Sequence, residues 1–572
     1  MALTLAKWEQ RRQTIAKQID QLGDFRPGSI TSISGRCGKP ECRCHRPGEL
    51  GHGPNLRLTY KVDGKSVSES LPSAAAMRKA EREVAEFRKY QQLSREFVEA
   101  SAEICRLRPI EEKLPAGEKK TAEAIRQETA REIDQLLRVV FSGRGKTGRL
   151  DQEAVETAVR AAMHRAGSAA LTELLQFAAP ATEEERAIAC DCGQLARYRE
   201  LRSKSVLTVV GPVEVCRPYL CPDCHHGQFP ADVELDIDNT EFSPGVRRMH
   251  ALVGLDAPFD HGREQMKVLA GLEVTTKSIE RIAEAIGEDI AQREQEEMQK
   301  AIQLDLPVVG GKPIPVLYVE MDGTGVPVVK KETVDRQGKT DGQPAHTREV
   351  KLGCVFTQTT YDKEGFPIRD PDSTTYTGAI ETAEQFGKRI YLEAYQRGWE
   401  HAAKKVVLAD GAEWIWNLAD LHFPGAIQIV DLYHAREHLW ELARKLHPND
   451  AVKQKAWMKK HQKRLLDKGK IEKLVLTLRA IDSTNPEVVE KLRIEANYFE
   501  RNAERMRYPK FRRQHLFVGS GVIEAGCKTV IGSRLKQSGM FWTVRGANAI
   551  VALRCCQLNG QFEDYWEARR AA

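Results

Sequence analysis

The stretch KKVVLADGAEWIWNLADLHFPGAIQIVDLYHAREH, residues 404–438, constrains this chain most. Two short apolar runs each end in an acid, Asp410 and Asp431, and Trp and Leu recur between them at helical spacing. A strand, a helix and a second strand in so short a span predict neighbouring parallel strands of an α/β sheet. In open sheets of that kind, chemistry gathers at the carboxyl ends of the strands. His434 follows the second acid by three residues.

The surrounding pattern extends this reading. Residues 314–362 are strand-rich around a polar loop at 330–347. Helix (381–398), strand (405–410), helix (413–421) and strand (426–431) follow. Helices are then expected over 434–507, 520–536 and 543–570, with a break at Pro509. Antiparallel strands giving way to strand–helix alternation predict a mixed sheet, and 434–507 reads as a helical insertion into it.

Upstream, residues 1–30, 73–108 and 119–182 read as helices. NLRLTYKVDGKSVSESL reads as a hairpin turning at Asp63-Gly64. SGRGKTGRL mimics a phosphate loop, but the first glycine of that motif would fall on Val140, which excludes it. The 41% apolar content suffices for real cores. No apolar run is long enough to span a membrane and the N-terminus has no apolar signal region, so a cytoplasmic, nucleoid-associated protein is expected. Net charge is only +6, but residues 441–520 carry twenty Lys and Arg against ten Asp and Glu. A basic segment on a near-neutral protein points to a localised polyanion surface.

Three acids are candidates for divalent-metal chemistry. Asp322 lies within IPVLYVEMDGTGVPVV, followed by Gly323 and Gly325, which permit close approach of a ligand. Asp410 ends its strand, and Glu524 lies one turn inside a helix opened by Gly519-Ser520-Gly521, with Lys528 four residues on. Hard oxygen donors suit Mg²⁺ or Mn²⁺. Simpler readings stand beside this one. Asp410 could be a helix N-cap, Glu320 shares a face with Asp322 and could be the ligand, and Glu524 alone would be an ordinary first-turn acid.

Taken together, VEMDGTGV, VVLADGAEWIW, DLYHAREH and GSGVIEAGCKTVIGSRLKQSGMFW resemble bacterial insertion-sequence DDE transposases related to the Mutator group. The resemblance covers roughly residues 180–565 and is less diagnostic upstream. It implies an RNase H-like core with a helical insertion between the second and third acids. Asp322, Asp410 and Glu524 would form the triad, and Mg²⁺-dependent end cleavage would precede strand transfer. It also implies an Asp-x-x-His motif, here Asp431 and His434, as auxiliaries beside the site, with a structural Asp–His hydrogen bond at the strand–helix junction as the alternative. Transposon ends and target DNA would be the partners, with synapsis requiring at least a dimer.

The cysteines add metal sites. Cys190, Cys192, Cys221 and Cys224 form two tight pairs, the spacing of a zinc ribbon, with Cys216, His225 and His226 as substitutes. Cys37, Cys42 and Cys44 with His45 or His52 suggest a second zinc site. His52 is favoured because Gly51 and Gly53 let the chain fold back, and reduced surface thiols are the alternative. Cys105, Cys354, Cys527, Cys555 and Cys556 read as core.

For DNA contact, residues 259–287 resemble a helix-turn-helix with Gly271 in the turn and Thr276, Lys277 and Arg281 facing a groove, although any helical hairpin scores similarly. Lys459, Lys460, Lys463 and Arg464 surround Trp457, which either stacks on a base or packs in a core. Lys528, Arg534 and Lys536, with Trp542, trail Glu524 along a DNA path.

The expected organisation is therefore multidomain α+β. An N-terminal helical and zinc-cluster module (1–115) precedes a helical linker (116–185), a zinc ribbon (186–235) and a helical DNA-binding region (240–305). The RNase H-like core (312–435 and 518–545) holds a helical insertion (436–517) and is followed by a C-terminal helix (546–572). The competing functions are a nuclease of the same fold and a retired transposase acting as a DNA-binding regulator. All three candidate acids are present in this chain, which disfavours the latter.

Overall fold

The computed structural model describes the chain except residues 1–3, 47, 49–50, 63–64, 109–115, 148–150, 183–185, 191, 222–225, 303–312, 335, 339–344 and 572. It is a mixed α+β protein of two compact units, Met1–Lys120 and Thr121–Ala572.

In the first unit, helices Leu5–Asp20 and Ala74–Leu107 accompany a three-stranded antiparallel sheet of Ser29–Gly35, His52–Val62 and Lys65–Ser70. The hairpin has the expected strands, and its turn at Asp63-Gly64 lies outside the described residues. The first helix ends at Asp20, ten residues before the expected limit of 30, and Ser29–Gly35 is a strand that the Gly- and Cys-rich sequence concealed. Cys105 is exposed, so it is not the core residue expected.

The second unit is built on a five-stranded mixed sheet: β1 (Ile314–Pro327), β2 (Thr347–Gln358), β3 (Thr375–Ala379), β4 (Ala402–Ala409) and β5 (Ile427–Val430), in the order β3-β2-β1-β4-β5. β2 runs antiparallel to β1 and β3, and β4 runs parallel to β1 and β5. β1 is central and covered on both faces. Val316 to Met321 are all buried, which is why its sequence is continuously apolar instead of alternating. β3 is a short edge strand of mixed polarity and carried no clear strand pattern.

Helix α1 (Thr276–Ile302) crosses a C-terminal helix, Val544–Leu558, at Gly287, where a Cβ would lie 2.0 Å from the Ala549 carbonyl oxygen. Only glycine permits that approach. The face of α1 from Ser278 to Ile290 is largely core.

From β5 the chain enters the helical insertion: α2 (Leu432–Leu446), α3 (Ala451–Arg464), Ile471–Arg479, α4 (Pro486–Arg501) and Tyr508–Arg513. Pro509 does not break a helix; it occupies the first turn of the last one, where its missing N–H costs nothing. The exit lies against the entry, with Leu432 N–H donating to the Val518 carbonyl at 2.8 Å. α5 (Gly521–Gly526) follows and continues through a π-helical turn, Cys527–Gly532, to Ser533–Leu535. Among the described residues, no helix is long and apolar enough to cross a membrane.

Candidate active site

The register of the parallel strands sets the acids. Leu408 of β4 pairs with Glu320 of β1, and Ala409 pairs with Val430 of β5. Continuing both registers brings Asp410 level with Asp322 on one side and with Asp431 on the other. Asp410 and Asp431 follow the carboxyl ends of β4 and β5, and Asp322 stands level with them within the longer β1.

Asp322 is half-buried. Its Oδ1 accepts the Gly323 N–H at 2.7 Å and its Oδ2 accepts the Cys527 thiol at 3.4 Å. Burial raises its pKa, the neighbouring Asp410 charge adds to that rise, and His434 acts against it. Two like charges drawn together at a partly desolvated point are stabilised by a cation. Asp410 is not the cap of helix Glu413–His422, whose N-cap is Ala412. Its Oδ1 accepts the Ala412 N–H at 2.9 Å, and its backbone carbonyl accepts the Tyr498 hydroxyl of α4 at 3.1 Å. Glu524 is exposed on α5, with the Ser520 hydroxyl 3.5 Å from its Oε1. The three carboxylates do not all come within 4.8 Å of one another.

Glu320 is sealed. It is fully buried, and its Oε2 accepts the Ile523 N–H of α5 at 2.8 Å. Burial raises its pKa well above the ordinary value, and its bond to the Ile523 N–H anchors α5. Asp431 is also fully buried. Its Oδ1 accepts the His434 N–H at 2.6 Å, and its Oδ2 accepts both the backbone N–H and the hydroxyl of Ser520. With both oxygens engaged by protein donors, Asp431 clamps the entry of the insertion to the start of α5.

His434 lines a cavity of about 710 Å³ with Tyr433, Glu437, Arg512, Phe517 and Glu524. Sequence reading missed three residues here: Cys527 on Asp322, and Glu495 and Tyr498 from α4. His438 was also missed, although its i, i+4 spacing from His434 on one helix face was visible.

The expected DNA-contact residues fall into two groups. Lys459, Lys460, Lys463 and Arg464 are exposed on α3 without an acidic partner among the described residues, and Lys528 is exposed after α5. Trp457 stacks on His461 at 3.9 Å and packs on the core, which favours its structural reading. Thr276 donates to Asp260, Lys277 pairs with Glu280 at 3.1 Å, and Arg281 with Glu241 at 3.2 Å. Gly271 adopts the left-handed conformation of a turn. Lys536 donates to the Thr324 hydroxyl of β1. Arg534 is not on the exposed surface. It is fully buried between Phe259 and Trp542 and donates to the Gly254 carbonyl at 2.9 Å, and burial pulls its pKa down to about 10.

In the first unit, Cys37, Cys42, Cys44 and His52 bring one donor each within 4.8 Å of one another, a candidate zinc site. Cys37 follows the first strand, Cys42 and Cys44 flank a short turn, and His52 opens the strand that pairs with Gly35. A Cβ at Gly51 would meet the Gly35 backbone at 2.8 Å, and Gly53 has φ +133°, so the glycines do permit the fold-back. The Cys44 N–H and a hydrogen bond with His52 lower the Cys42 thiol to about 6, toward the thiolate that binds metal. His45 instead contacts the Cys37 carbonyl.

For the second zinc set, in the antiparallel sheet of Ala187–Ala189, Leu195–Thr208 and Gly211–Cys221, Arg197 pairs with both Ala187 and Cys221. The turn carrying Cys190 and Cys192 therefore lies at the same end of its sheet as Cys221. Cys224 lies outside the described residues.

The fold and these residues define a mixed α+β protein with carboxylates at the ends of parallel strands and a Cys₃His cluster in a separate unit. Residues 5–80 match a family described as a domain of unknown function, DUF6788. Over 384 residues the chain is 25% identical to the "UPF0236 protein in vanSb 3'region" of Streptococcus gallolyticus, covering 64% of this chain and 75% of that protein. The Drosophila P element transposase strand transfer complex aligns at a TM-score of 0.20 and 9% identity over 60% of this chain and 83% of that one, too loosely to define a common fold.

Proposed function

We propose that this protein is a DNA transposase of the DDE type, with Asp322, Asp410 and Glu524 as its metal-binding triad. The observation that carries this reading is the level placement of Asp322 and Asp410 on adjacent parallel strands, with Glu524 on the helix packed against β1. The mixed sheet and the helical insertion between the second and third acids match what the motif resemblance implies for an RNase H-like core.

The three carboxylates would hold two Mg²⁺ or Mn²⁺ ions, which supply charge neutralisation at the attacking and leaving oxygens. The protein's own part is positioning. Gly323 and Ala412 N–H groups fix one oxygen of each aspartate, and Glu320 and Asp431 fix the start of α5 and so the placement of Glu524. The unpaired cations of α3 would grip DNA phosphates. Zn²⁺ on Cys37, Cys42, Cys44 and His52 would order the first unit, and Zn²⁺ on Cys190, Cys192, Cys221 and Cys224 the ribbon.

The test uses a plasmid carrying the gene with its native flanking DNA, incubated with the full-length protein in Mg²⁺ or Mn²⁺. Cleavage at the element ends followed by joining to a second DNA is expected. Cleavage without joining would favour the nuclease reading, and binding without cleavage the regulator.

A further inference from the structure

The insertion does more than carry basic residues: α4 delivers two side chains to the site. The Tyr498 hydroxyl holds the Asp410 carbonyl, and its ring stacks on His438 at 4.1 Å between centroids. One turn earlier, Glu495 is 1% exposed, and its Oε2 lies 2.7 Å from His438 Nδ1. Lys491 closes on its other oxygen at 2.7 Å. His438 Nε2 in turn lies 3.2 Å from His434 Nε2.

This chain fixes proton positions. A carboxylate paired with Lys491 accepts, so His438 carries its proton on Nδ1 and offers the Nε2 lone pair. In that tautomer His438 accepts from His434 Nε2–H, which leaves His434 Nδ1 as an acceptor. The arrangement repeats the logic of a carboxylate orienting one imidazole, lengthened by a second ring. No third donor joins the two histidines within 4.8 Å among the described residues, so two ring nitrogens alone do not make a metal site.

Resting on the transposase reading, we propose that Glu495 and His438 are positioning residues of the insertion that hold His434 in the tautomer able to take the proton of the attacking water. As the water O–H breaks, its proton passes to His434 Nδ1. The oxygen's electron pair forms the bond to phosphorus, the P–O3′ bond breaks, and the departing 3′ oxygen keeps that pair and is protonated from solvent. His434 suits this role by place, since it shares its cavity with Glu524. The charged and titratable groups around the pair include Glu437 (3.9 Å from His434 Nδ1) and Glu441 on the same helix, Asp431 at its start, Glu495, Lys491 and Tyr498 from α4, and Arg512 and Glu364 across the cavity. Asp322 and Asp410 face it from the sheet, and Glu524 from α5.

The experiment compares full-length variants on the same plasmid, with DNA affinity measured in parallel. His434→Ala should cut at least about 100-fold more slowly at unchanged affinity. Added imidazole should restore part of that rate, and should do nothing for Asp410→Ala. His438→Gln and Glu495→Gln should each lose about 10–100-fold in rate, again at constant affinity. Glu495→Gln keeps the side chain's shape where Glu495→Ala could unfold α4. Histidine ¹⁵N spectra of the unmodified protein, independent of activity, should show His438 protonated at Nδ1 and His434 at Nε2. Wild-type rates in the Gln variants, no imidazole rescue, or the opposite tautomers would overturn the proposal. Activity persisting in Asp410→Ala would instead overturn the reading beneath it, with the spectra still deciding the relay.

Discussion

Asp431 and Ser520 are joined twice: the buried Asp431 Oδ2 accepts the Ser520 hydroxyl at 2.8 Å and its backbone N–H as well. Because Asp431 also caps α2 through His434 N–H, one carboxylate ties the entry of an insertion more than eighty residues long to its exit. Removing it leaves buried donors unpaired, each costing about 1–3 kcal/mol. Asp431→Ala should therefore lower the unfolding midpoint clearly. Asp431→Asn, which keeps one acceptor, should fall in between. Thermal unfolding of the three proteins checks the order; equal midpoints would deny the clamp.

Glu320 gives a pH-dependent prediction. Burial, reinforced by the Asp431 and Glu524 charges, holds its carboxyl well above the ordinary value of 4.5, so the folded chain keeps a proton that the unfolded chain releases. Wild-type stability then falls as pH rises from about 4.5 toward the raised value. Glu320→Gln stays neutral and escapes that loss, so its midpoint should gain on wild type as pH rises above about 4.5. The same variant should keep cleavage activity. Glu320→Ala strips the acceptor from Ile523 N–H and should lose both stability and activity. Parallel pH dependence of wild type and Glu320→Gln would contradict the assignment.

These two residues show where the sequence was readable and where it was not. Asp410 and Asp431 at the ends of apolar runs, and the long helical stretch after them, were legible because strand and helix periods are local. The anchoring of α5 by Glu320 and Asp431 was not, because Ile523 and Ser520 lie far along the chain. Arg534 read as a DNA contact for the same reason: nothing adjacent in sequence tells that Phe259 and Gly254 enclose it. β3 was missed as a short, polar edge strand, and His438 because one histidine had already filled the motif.

The Cys₃His cluster should carry zinc as purified. Cys42→Ser should release it and loosen the first unit, because small metal modules fold with their ion. Metal content by mass spectrometry reads this directly, and Cys221→Ser tests the ribbon in the same way. Undiminished zinc in Cys42→Ser would remove that residue from the set.

Neutralising Lys459, Lys460, Lys463 and Arg464 together should weaken binding to unrelated duplexes about equally. It should also flatten the dependence of log affinity on log salt by about 0.9 for each DNA phosphate no longer neutralised by the protein. Weakening confined to one DNA sequence would indicate base readout instead.

The most direct test of the central claim replaces Asp322, Asp410 and Glu524 singly with Ala and follows end cleavage and joining in Mg²⁺ or Mn²⁺, with DNA binding measured alongside. Glu413→Ala is the control, since Glu413 is 80% exposed and meets only Arg501 at 3.6 Å. Each triad variant should lose both steps to a similar depth, and the double variants should lose little more, because the three act as a unit. Binding should persist or tighten as a negative charge is removed. Cleavage and joining at wild-type rates in Glu524→Ala would contradict the account.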